Sequence, residues 1–587
     1  MSKSVETQDT TEGERLAELG KRRGFFFPSF ESYGGVSGLY TYGPRGAALK
    51  RHLEEVWRDR FTVKEGNFEV EGPTVTPKAV LDASGHTDDF DDMLVVCASC
   101  DERNRADHLI EDNTDIEDAE TVSIPEVEAL IREHDIVCPT CGADLAGQPV
   151  EEFNLMFETA IGPGDGTQGF LRPETAQSIF VEFPRLIEYA RNELPFGATQ
   201  IGPGYRNEIS PRRGLVRVRE FTMAELELFI DPERNEPDLS EVRSVEVRLY
   251  PGEEQEQEGT TYVDTTIGEA VDDGTIGNPW VAYYLGIARR WFERIGLDMD
   301  RFRFRQHLPG ERAHYATDCW DAEAEIDGDW IEITGFAHRG CYDLKKHQEH
   351  SAEEYTVFVP YDEPVEEERA TVDPDMGFLG PEFGGAAPDI ADALERLATE
   401  EPEAFDDEVV EAHVGGEQFQ IPRERTGFAV EVVRETGEHV LPEVVEPSFG
   451  IGRIVYTILG HNLQSDEIDG ERRTYLSLPP EIAPTTVSVF PLMDRDGLGD
   501  MAREIEDALR EAGLDATYDD TGNIGRRYRR QDEIGTPFCV TVDYDSLEDG
   551  TVTIRDRDTT EQIRVDADDV PTAMRDLLAG STSLSEL

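Results

Sequence analysis

The sequence predicts an α+β protein with several domains, and three observations carry this prediction. The chain has 587 residues, which exceeds one ordinary core and corresponds to roughly three or four domains of about 150 residues each. Residues 205–229 have the pattern of two strands joined by a polar turn, which contains Pro211 and Gly214. Over the last hundred residues, strand-like and helical segments alternate with short connections, which predicts an α/β domain with a mainly parallel sheet.

Changes in composition and pattern divide the chain into four parts. These are residues 1–96, a cysteine-rich segment at 97–150, a strand-rich part at 151–480 and a C-terminal part at 485–587. The strand-rich part contains two acidic stretches, which we interpret as insertions; they lie at about 231–280 and 360–425. The sequence contains no internal repeat or long low-complexity tract.

The chain is strongly acidic, with 126 acidic residues against 55 basic ones and a formal net charge of -71. The acidic residues occur along the whole length, which favours adaptation to a salt-rich cytoplasm, where carboxylates keep surfaces hydrated and ions screen their repulsion. Disorder is the alternative interpretation of a high charge, but apolar runs recur throughout. The charge argues only weakly against a nucleic-acid partner, because a local arginine cluster can override the overall balance.

Signals for membrane insertion or secretion are missing from the sequence. No apolar run approaches the roughly 20 residues that span a bilayer, and the first 20 residues lack the apolar stretch of a signal peptide. Seven cysteines, an odd number in a long chain, argue against a disulfide scaffold. We therefore expect a cytoplasmic protein that does not associate with membranes.

Two Cys-x-x-Cys pairs lie in the cysteine-rich segment: Cys97 with Cys100, and Cys138 with Cys141. Two such pairs on turns can meet tetrahedrally around one Zn²⁺, and four thiolates leave no open position, so the role would be structural. The interval between the pairs, 101–137, is longer than usual, and it contains His108 and His134 as other ligands. Four reduced, partly buried cysteines are the alternative.

The common nucleotide-binding loops are not found in this sequence. It has no G-x-x-x-x-G-K-[ST] string, and FGIGRIVYTILG lacks the strand, the spacing and the later acid of a dinucleotide site. The second strand of the segment 205–229 offers another surface on which a nucleotide could bind. Its alternation places Phe221 and Glu225 on one face about 13 Å apart, which matches the span from a stacked purine to a polar group beyond its phosphates. An ordinary solvated face is the alternative.

Three segments resemble, in the correct order, the three motifs of class II aminoacyl-tRNA synthetases. Residues 68–86, with Pro77, resemble motif 1, residues 205–229 resemble motif 2, and residues 444–459 resemble motif 3. The resemblance implies an antiparallel-sheet catalytic domain with insertions, followed at 485–587 by the α/β anticodon-binding domain of glycyl, prolyl, threonyl and histidyl enzymes. Motif 1 further implies a homodimer.

Within this class, three strings resemble the archaeal and eukaryotic dimeric glycyl enzymes: RPETAQ at 172–177, REFTMAELE at 219–227 and VEPSFG at 445–450. The resemblance implies glycine, ATP and tRNA(Gly) as substrates. Carboxylates around an ammonium give charge-assisted hydrogen bonds, and a wall close to the α-hydrogens excludes larger amino acids. The residues that the resemblance places at glycine are Arg105, Glu174, Phe221, Glu225, Glu446, Ser448 and Gly450.

The resemblance also implies an ATP site in which glycyl-adenylate forms. Arg206 would bind the α-phosphate, and Arg453 would approach the γ-phosphate and cover the adenine opposite Phe221. Glu332 would act through Mg²⁺ that bridges the phosphates. Arg206 and Arg453 are thus the implied catalytic residues. The full implied ATP set is Arg206, Asn207, Glu208, Val216, Phe221, Glu332, Ile333, Gly450 and Arg453.

The run Arg526–Arg530 (RRYRR) is the most basic part of the chain, and arginine with tyrosine suits RNA phosphates and splayed bases. A helix face paired with neighbouring acids is the alternative.

Two other functions of the whole protein remain open. A prolyl or threonyl specificity is disfavoured by the acids that bind the ammonium, and a non-catalytic relative is disfavoured by the presence of Arg206 and Arg453.

Overall fold

The computed structural model describes residues 11–587 except 89, 115, 117–118, 120–121, 165, 212, 256–260, 309–317 and 469. It divides into two compact units, Met1–Tyr355 with Leu441–Leu587, and Thr356–Val440. Both helices and sheets contribute to each unit, which agrees with the predicted α+β class. No helix among the described residues is long and apolar enough to cross a membrane.

The strands of the described residues, in chain order, are β1 (Phe26–Pro28), β2 (Tyr40–Tyr42), β3 (Phe68–Glu69), β4 (Val75–Pro77), β5 (Asp91–Val96), β6 (Arg103–Arg105), β7 (Val150–Asn154), β8 (Phe157–Ile161), β9 (Thr167–Leu171), β10 (Phe196–Tyr205), β11 (Glu220–Ile230), β12 (Glu246–Tyr250), β13 (Val263–Thr266), β14 (Phe302–Gln306), β15 (Asp318–Ile326), β16 (Asp329–Gly340), β17 (Val357–Thr371), β18 (Val409–Val414), β19 (Glu417–Pro422), β20 (Ala429–Val440), β21 (Glu443–Gly450), β22 (Leu463–Ile468), β23 (Glu471–Leu476), β24 (Val487–Pro491), β25 (Ala516–Tyr518), β26 (Phe538–Val542), β27 (Thr551–Asp556) and β28 (Gln562–Asp566).

The α-helices of the same residues are α1 (Glu12–Arg23), α2 (Pro44–Trp57), α3 (Lys78–Ser84), α4 (Ala106–Glu111), α5 (Ile124–Glu133), α6 (Ala176–Val181), α7 (Phe183–Tyr189), α8 (Gly252–Gln255), α9 (Ile267–Asp272), α10 (Pro279–Arg294), α11 (Tyr342–His350), α12 (Met376–Phe383), α13 (Ala387–Glu400), α14 (Ile451–His461), α15 (Leu498–Glu511), α16 (Ile524–Ile534), α17 (Tyr544–Asp549) and α18 (Val570–Leu578).

A nine-stranded sheet in the order β13-β12-β14-β15-β16-β21-β11-β10-β3 forms the centre of the first unit. All its neighbours are antiparallel except the pairs β3–β10 and β12–β14. Helices α2, α10 and α14 contribute the large core side chains on one face, including Trp57 and Trp291. The acidic stretch at 231–280 does not form a separate lobe, because it supplies β12 and β13 at one edge of this sheet.

The second unit, Thr356–Val440, contains the stretch 360–425 that we interpreted as an insertion. Strands β17 and β20 form a long antiparallel ribbon, and β18 with β19 forms a second hairpin. Helices α12 and α13 pack with these strands around Leu379, Ile390 and Phe405, which are buried in a core of their own.

The C-terminal sheet has the order β25-β24-β26-β27-β28. Strands β25, β24 and β26 are parallel, whereas β27 and β28 are antiparallel, so the sheet is less parallel than its strand–helix alternation predicted. The connection from β27 to β28 has only five residues, which is too short for a parallel crossover. Helices α15 and α18 cover the face that carries Val489 and Val540. Helix α16 covers the other face, where Tyr528 packs against Phe490.

Candidate active site

A cavity of about 380 Å³ lies against the central sheet, at β11, β16 and β21. In β21, Phe449 is buried and its ring lies 4.7 Å from that of Phe61 in the core. Because side chains alternate along a strand, its neighbours Ser448 and Gly450 face the other way and line the cavity. The register pairs Ser448 with Glu225 of β11.

Twelve of the residues that the sequence placed at glycine or ATP line this cavity. They come from distant parts of the chain, which the sheet brings together. They are Glu174, Arg206, Glu208, Val216, Phe221, Glu225, Glu332, Ile333, Glu446, Ser448, Gly450 and Arg453.

Two other candidates, Arg105 and Asn207, are not among the described residues that line the cavity. The Arg105 guanidinium forms ion pairs with Asp92, at 3.2 Å, and with Asp107. The Asn207 backbone N–H donates to the carbonyl oxygen of Leu155 at 2.6 Å, which fixes the start of the turn after β10. Their predicted contacts with substrate therefore stay predictions.

Glu225 is the most tightly held acid of the cavity, and only 1% of its surface is exposed. Its Oε2 accepts a hydrogen bond from the backbone N–H of Thr175 at 2.8 Å and another from the Thr175 hydroxyl. Its Oε1 accepts from the Ser448 hydroxyl at 2.9 Å. Strand β21 and the loop before α6 thus fix this carboxyl group before any substrate binds.

Glu446 is held by Arg339, a residue that the sequence reasoning missed. Arg339 Nη1 donates to Glu446 Oε2 at 2.6 Å, while its Nε and Nη2 donate to Asp343 at 2.8 and 3.0 Å. Gln177 bridges Glu174 and Asp343 at 3.1 and 3.2 Å. A buried network behind the cavity therefore orients two of the acids that face it.

The electrostatics of these acids favour a cationic ligand. Burial raises the pKa of Glu446 to about 7, against the attraction of Arg339, and Glu225 and Glu174 add to the rise. Burial also raises the pKa of Glu225, with Glu174 as the next cause. The pKa of Glu174 is lowered despite burial, first through His86, whose Nε2 lies 3.4 Å away. Crowded carboxyl groups in a low dielectric gain most from a positive charge placed between them.

Two positively charged guanidinium groups lie at the other end of the cavity, together with the carboxylate of Glu332. Arg206 lies over the rings of Phe90 and Phe221, at 5.3 and 5.5 Å from their centroids. Arg453 Nη1 lies 3.1 Å from Glu332 Oε2, and its Nε donates to the carbonyl oxygen of Val216 at 3.0 Å. Two guanidinium groups beside an aromatic ring suit a nucleotide triphosphate.

Two further groups line this end and were missed from the sequence, His307 and Asp321. His307 Nε2 lies 2.7 Å from Asp321 Oδ2, and although burial opposes it, this contact raises the pKa of His307 to about 11. Burial raises the pKa of Asp321 to about 6, and nearby Glu332 adds to the rise. In the sequence, only the alternation of Asp321 and Glu323 in β15 could have indicated these residues, but alternation does not reveal which face of the strand lines the cavity.

The four cysteines of the two Cys-x-x-Cys pairs meet, and their Sγ atoms all lie within 4.8 Å of one another. The distance is 3.6 Å between Cys97 and Cys141 and 3.7 Å between Cys100 and Cys138. Zn–S bonds of about 2.3 Å in a tetrahedron require sulfur–sulfur distances of about 3.8 Å. The donor set and its size therefore fit one Zn²⁺.

The basic run on α16 has mixed surroundings. Arg527 is buried and donates to backbone carbonyls that include that of Gly522, at 2.8 Å, while Arg530 donates to Asp519 at 3.0 Å. These two side chains hold the C-terminal domain together. Among the described residues, neither Arg526 nor Arg529 has an acidic oxygen within 4.0 Å, although Arg529 lies close enough to Asp466 to help lower the pKa of that carboxyl, after Arg473.

Comparison with known proteins gives matches over nearly the whole chain. Residues 165–462 match the family described as the tRNA synthetase class II core domain (G, H, P, S and T), and residues 486–577 match the anticodon binding domain family. These matches agree with the catalytic domain and the C-terminal domain that the motifs predicted.

Curated relatives of the chain carry the name glycine–tRNA ligase. That of Methanothrix thermoacetophila is 49% identical over 577 residues, which cover 98% of each chain. That of Methanothermobacter thermautotrophicus is 48% identical over 95% of this chain and 98% of its own, and that of Methanocaldococcus jannaschii is 46% identical over 96% and 99%. The chain therefore belongs to the glycine–tRNA ligases, a family of class II aminoacyl-tRNA synthetases.

Proposed function

We propose that this protein attaches glycine to tRNA(Gly) in an ATP-dependent reaction that passes through glycyl-adenylate and releases AMP and pyrophosphate. The observation that carries the proposal is the convergence of Glu174, Glu225 and Glu446 in a cavity that also holds Arg206 and Arg453. Glycine has no side chain, so a site can recognise only its ammonium and its carboxylate. Two buried carboxyl groups, Glu225 and Glu446, and the partly buried Glu174 provide charge-assisted acceptors for the ammonium, and Ser448 fixes Glu225.

The first step is attack by the glycine carboxylate on the α-phosphorus of ATP. A bond forms between a carboxylate oxygen and phosphorus, and the bond to the bridging oxygen breaks, so that pyrophosphate leaves. Arg206 stabilises the charge that builds on the α-phosphoryl oxygens, and Arg453 binds the γ-phosphate end. Phe221 stacks on the adenine. Positioning by these residues supplies the catalysis without a protein nucleophile.

In the second step, a ribose hydroxyl at the 3′ end of tRNA attacks the carbonyl carbon of the adenylate. An ester bond forms as the hydroxyl gives up its proton, and the bond between the carbonyl carbon and the phosphate oxygen breaks, which releases AMP. The acids that hold the ammonium keep the carbonyl in place during both steps.

Glu332 and Asp321 supply carboxylate oxygens on the cavity wall, and such hard ligands suit Mg²⁺. The two carboxyl groups lie close to each other. Burial is the main cause that raises the pKa of Asp321, and the negative charge of Glu332 is the second. When bound with ATP, Mg²⁺ would neutralise part of the phosphate charge. Glu332 also forms an ion pair with Arg453, so the same carboxylate also holds the Arg453 guanidinium in position.

We propose further that the protein is a homodimer in a salt-rich cytoplasm. The resemblance of residues 68–86 to motif 1 supports the dimer, and the net charge of -71 supports the adaptation to salt. Light scattering after gel filtration in high KCl tests the first proposal, and activity measured against KCl concentration tests the second.

Pyrophosphate exchange with each of the twenty amino acids, in high potassium chloride, tests the function. We expect exchange with glycine alone, because a wall close to the α-hydrogens would exclude larger amino acids. Exchange with proline or threonine would show another specificity within the class. The absence of any exchange would show a binding module that has lost catalysis.

We propose that residues 97–150 are an insertion held by one structural Zn²⁺ on Cys97, Cys100, Cys138 and Cys141. Behind the cysteines, Ile110, Val127 and Ile131 form a small separate core. Such a core is too small to be stable without a further cross-link, which a metal supplies.

Freshly purified protein should therefore contain one zinc per chain, and the double variant Cys100→Ser, Cys141→Ser should contain none. We expect that variant to be cleaved by protease within 97–150, because its small core loses the metal. Cys341→Ser is the matched control and should retain zinc. Zinc-free wild-type protein, or full zinc content in the double variant, would contradict the assignment.

A further inference from the structure

A group of arginines lies outside the cavity, where α1, the hairpin of β22 and β23, and α16 meet. Most of the described arginines form ion pairs with carboxylates, so exposed arginines without a close acidic partner are informative. Among the described residues, Arg15, Arg526 and Arg529 form no ion pair. We propose that this surface, which we name the arginine groove, binds the phosphodiester backbone of the tRNA.

The centre of the arginine groove is a concave site of about 300 Å³ between α1 and the hairpin. Arg15 and Arg22 lie seven residues apart on α1, which is two helical turns, so they share a face. Arg472 faces them from β23, because strand alternation turns it outward while its neighbour Arg473 is fully buried. Hydroxyl and amide groups complete the lining, from Gln464, Ser465 and Thr474.

Helix α16 of the C-terminal domain contacts the C-terminal end of α1, at one side of the arginine groove. Arg22 Nη1 donates to Glu533 Oε2 at 2.9 Å, and Arg23 contacts the same carboxylate. Arg529 lies one turn before Glu533 on α16, and Arg526 lies one further turn away. Because residues four apart are neighbours on a helix surface, these contacts place Arg529 beside the C-terminal end of α1.

Two of the acids of this surface are engaged by arginines. Glu533 is shared between Arg22 and Arg23, and Asp466 accepts from Arg473 at 2.9 Å. Glu18 remains at the rim, at 3.9 Å from Arg22 and 79% exposed. Glu467, the cross-strand neighbour of Arg472, is also exposed. An arriving phosphate therefore competes with these two carboxylates, since Glu533 and Asp466 already have arginine partners.

Phosphate is the chemistry that fits this arrangement. A guanidinium presents a planar fork to paired oxygen atoms, and several forks along an extended surface match a polymer of phosphates. Among the described residues that line its central site, the groove has no aromatic ring, so this site can hold a backbone but lacks a platform for stacked bases. The inference rests on the proposed function, since it names where the tRNA of that reaction is bound.

The test uses the full-length enzyme with the variants Arg15→Gln, Arg472→Gln and Arg529→Gln, singly and combined. The matched control is Arg575→Gln, an exposed arginine on α18, on the opposite face of the C-terminal sheet from α16. The Kd for tRNA(Gly) and its KM in aminoacylation are measured over a series of KCl concentrations. Glycine-dependent pyrophosphate exchange, which needs no tRNA, is measured in parallel.

We expect each single variant to weaken tRNA binding by roughly threefold or more at low KCl and the triple variant by well over tenfold. The slope of log Kd against log KCl concentration should fall by about one for each arginine replaced. Pyrophosphate exchange and the Arg575→Gln control should remain at the wild-type level. Unchanged tRNA Kd and salt slope in the triple variant would overturn the inference. Failure of the wild-type enzyme to charge tRNA would instead overturn the proposed function.

Discussion

Replacing Arg206 by alanine is expected to abolish glycine-dependent pyrophosphate exchange while the fold remains intact. Arg206 is a cavity residue that lies over Phe90 and Phe221, from where it can reach the α-phosphate. A preorganised charge at a developing negative charge is worth about 10²–10³-fold in rate. Since the enzyme has no protein nucleophile to compensate, the loss should be at least of this size.

The matched control for this variant is Arg103→Ala, which removes an exposed arginine outside the cavity lining. Circular dichroism and thermal unfolding should be unchanged in both variants, because neither guanidinium supports the core. Exchange near the wild-type rate in Arg206→Ala would contradict the assignment of Arg206 as a catalytic residue. Equal loss in both variants would show that the effect is not specific to the cavity.

Replacing Glu446 by glutamine is expected to raise the KM for glycine by about 10–100-fold, because it removes one charge-assisted hydrogen bond to the ammonium. The KM for ATP should change little. Arg339 keeps its two bonds to Asp343, so the network behind the cavity remains. Steady-state kinetics with glycine and ATP varied separately measure the difference.

The pH dependence provides a second readout for Glu446. Burial raises its pKa to about 7, and only the carboxylate form attracts the ammonium. In the wild-type enzyme, kcat/KM for glycine should therefore fall as the pH decreases through about 7 and should level off above it. Glu446→Gln cannot lose a proton there, so its profile should be flat in this range.

Glu443→Gln is the matched control, since Glu443 lies on the same strand but is not among the described residues that line the cavity. Its carboxylate accepts from His338 Nε2 at 2.9 Å instead. This variant should retain the wild-type KM for glycine and the wild-type pH profile. A normal KM in Glu446→Gln would remove that residue from the glycine site.

Much of the catalytic face was predictable because strands have a fixed period. Once REFTMAELE was interpreted as a strand, Phe221 and Glu225 had to share a face, and both line the cavity. In the same way, EPSFG as a strand placed Glu446 and Ser448 together. The C-terminal domain was predictable from local alternation, although its last two strands proved antiparallel because their connection is too short for a crossover.

Other residues could not be predicted from local pattern. Arg339 reaches Glu446 over 107 positions of sequence, through the register of β16 against β21. His307, which follows β14, and Asp321 of β15 face the cavity only because β14, β15 and β16 are consecutive in the sheet order. Arg527 and Arg530 looked like RNA ligands in sequence, yet carbonyl groups and Asp519 hold them.

The sequence by itself determined the family, the three motifs, the α+β class and the identity of most of the acids and arginines that face the cavity. These features depend on short-range periodicity and on strings of residues that chemistry constrains. The tertiary structure decided which acids are buried together, which arginines are already engaged and where α1, a distant hairpin and α16 form one groove. Those properties arise from contacts between segments hundreds of residues apart, and burial, distance and pKa exist only once such contacts have formed.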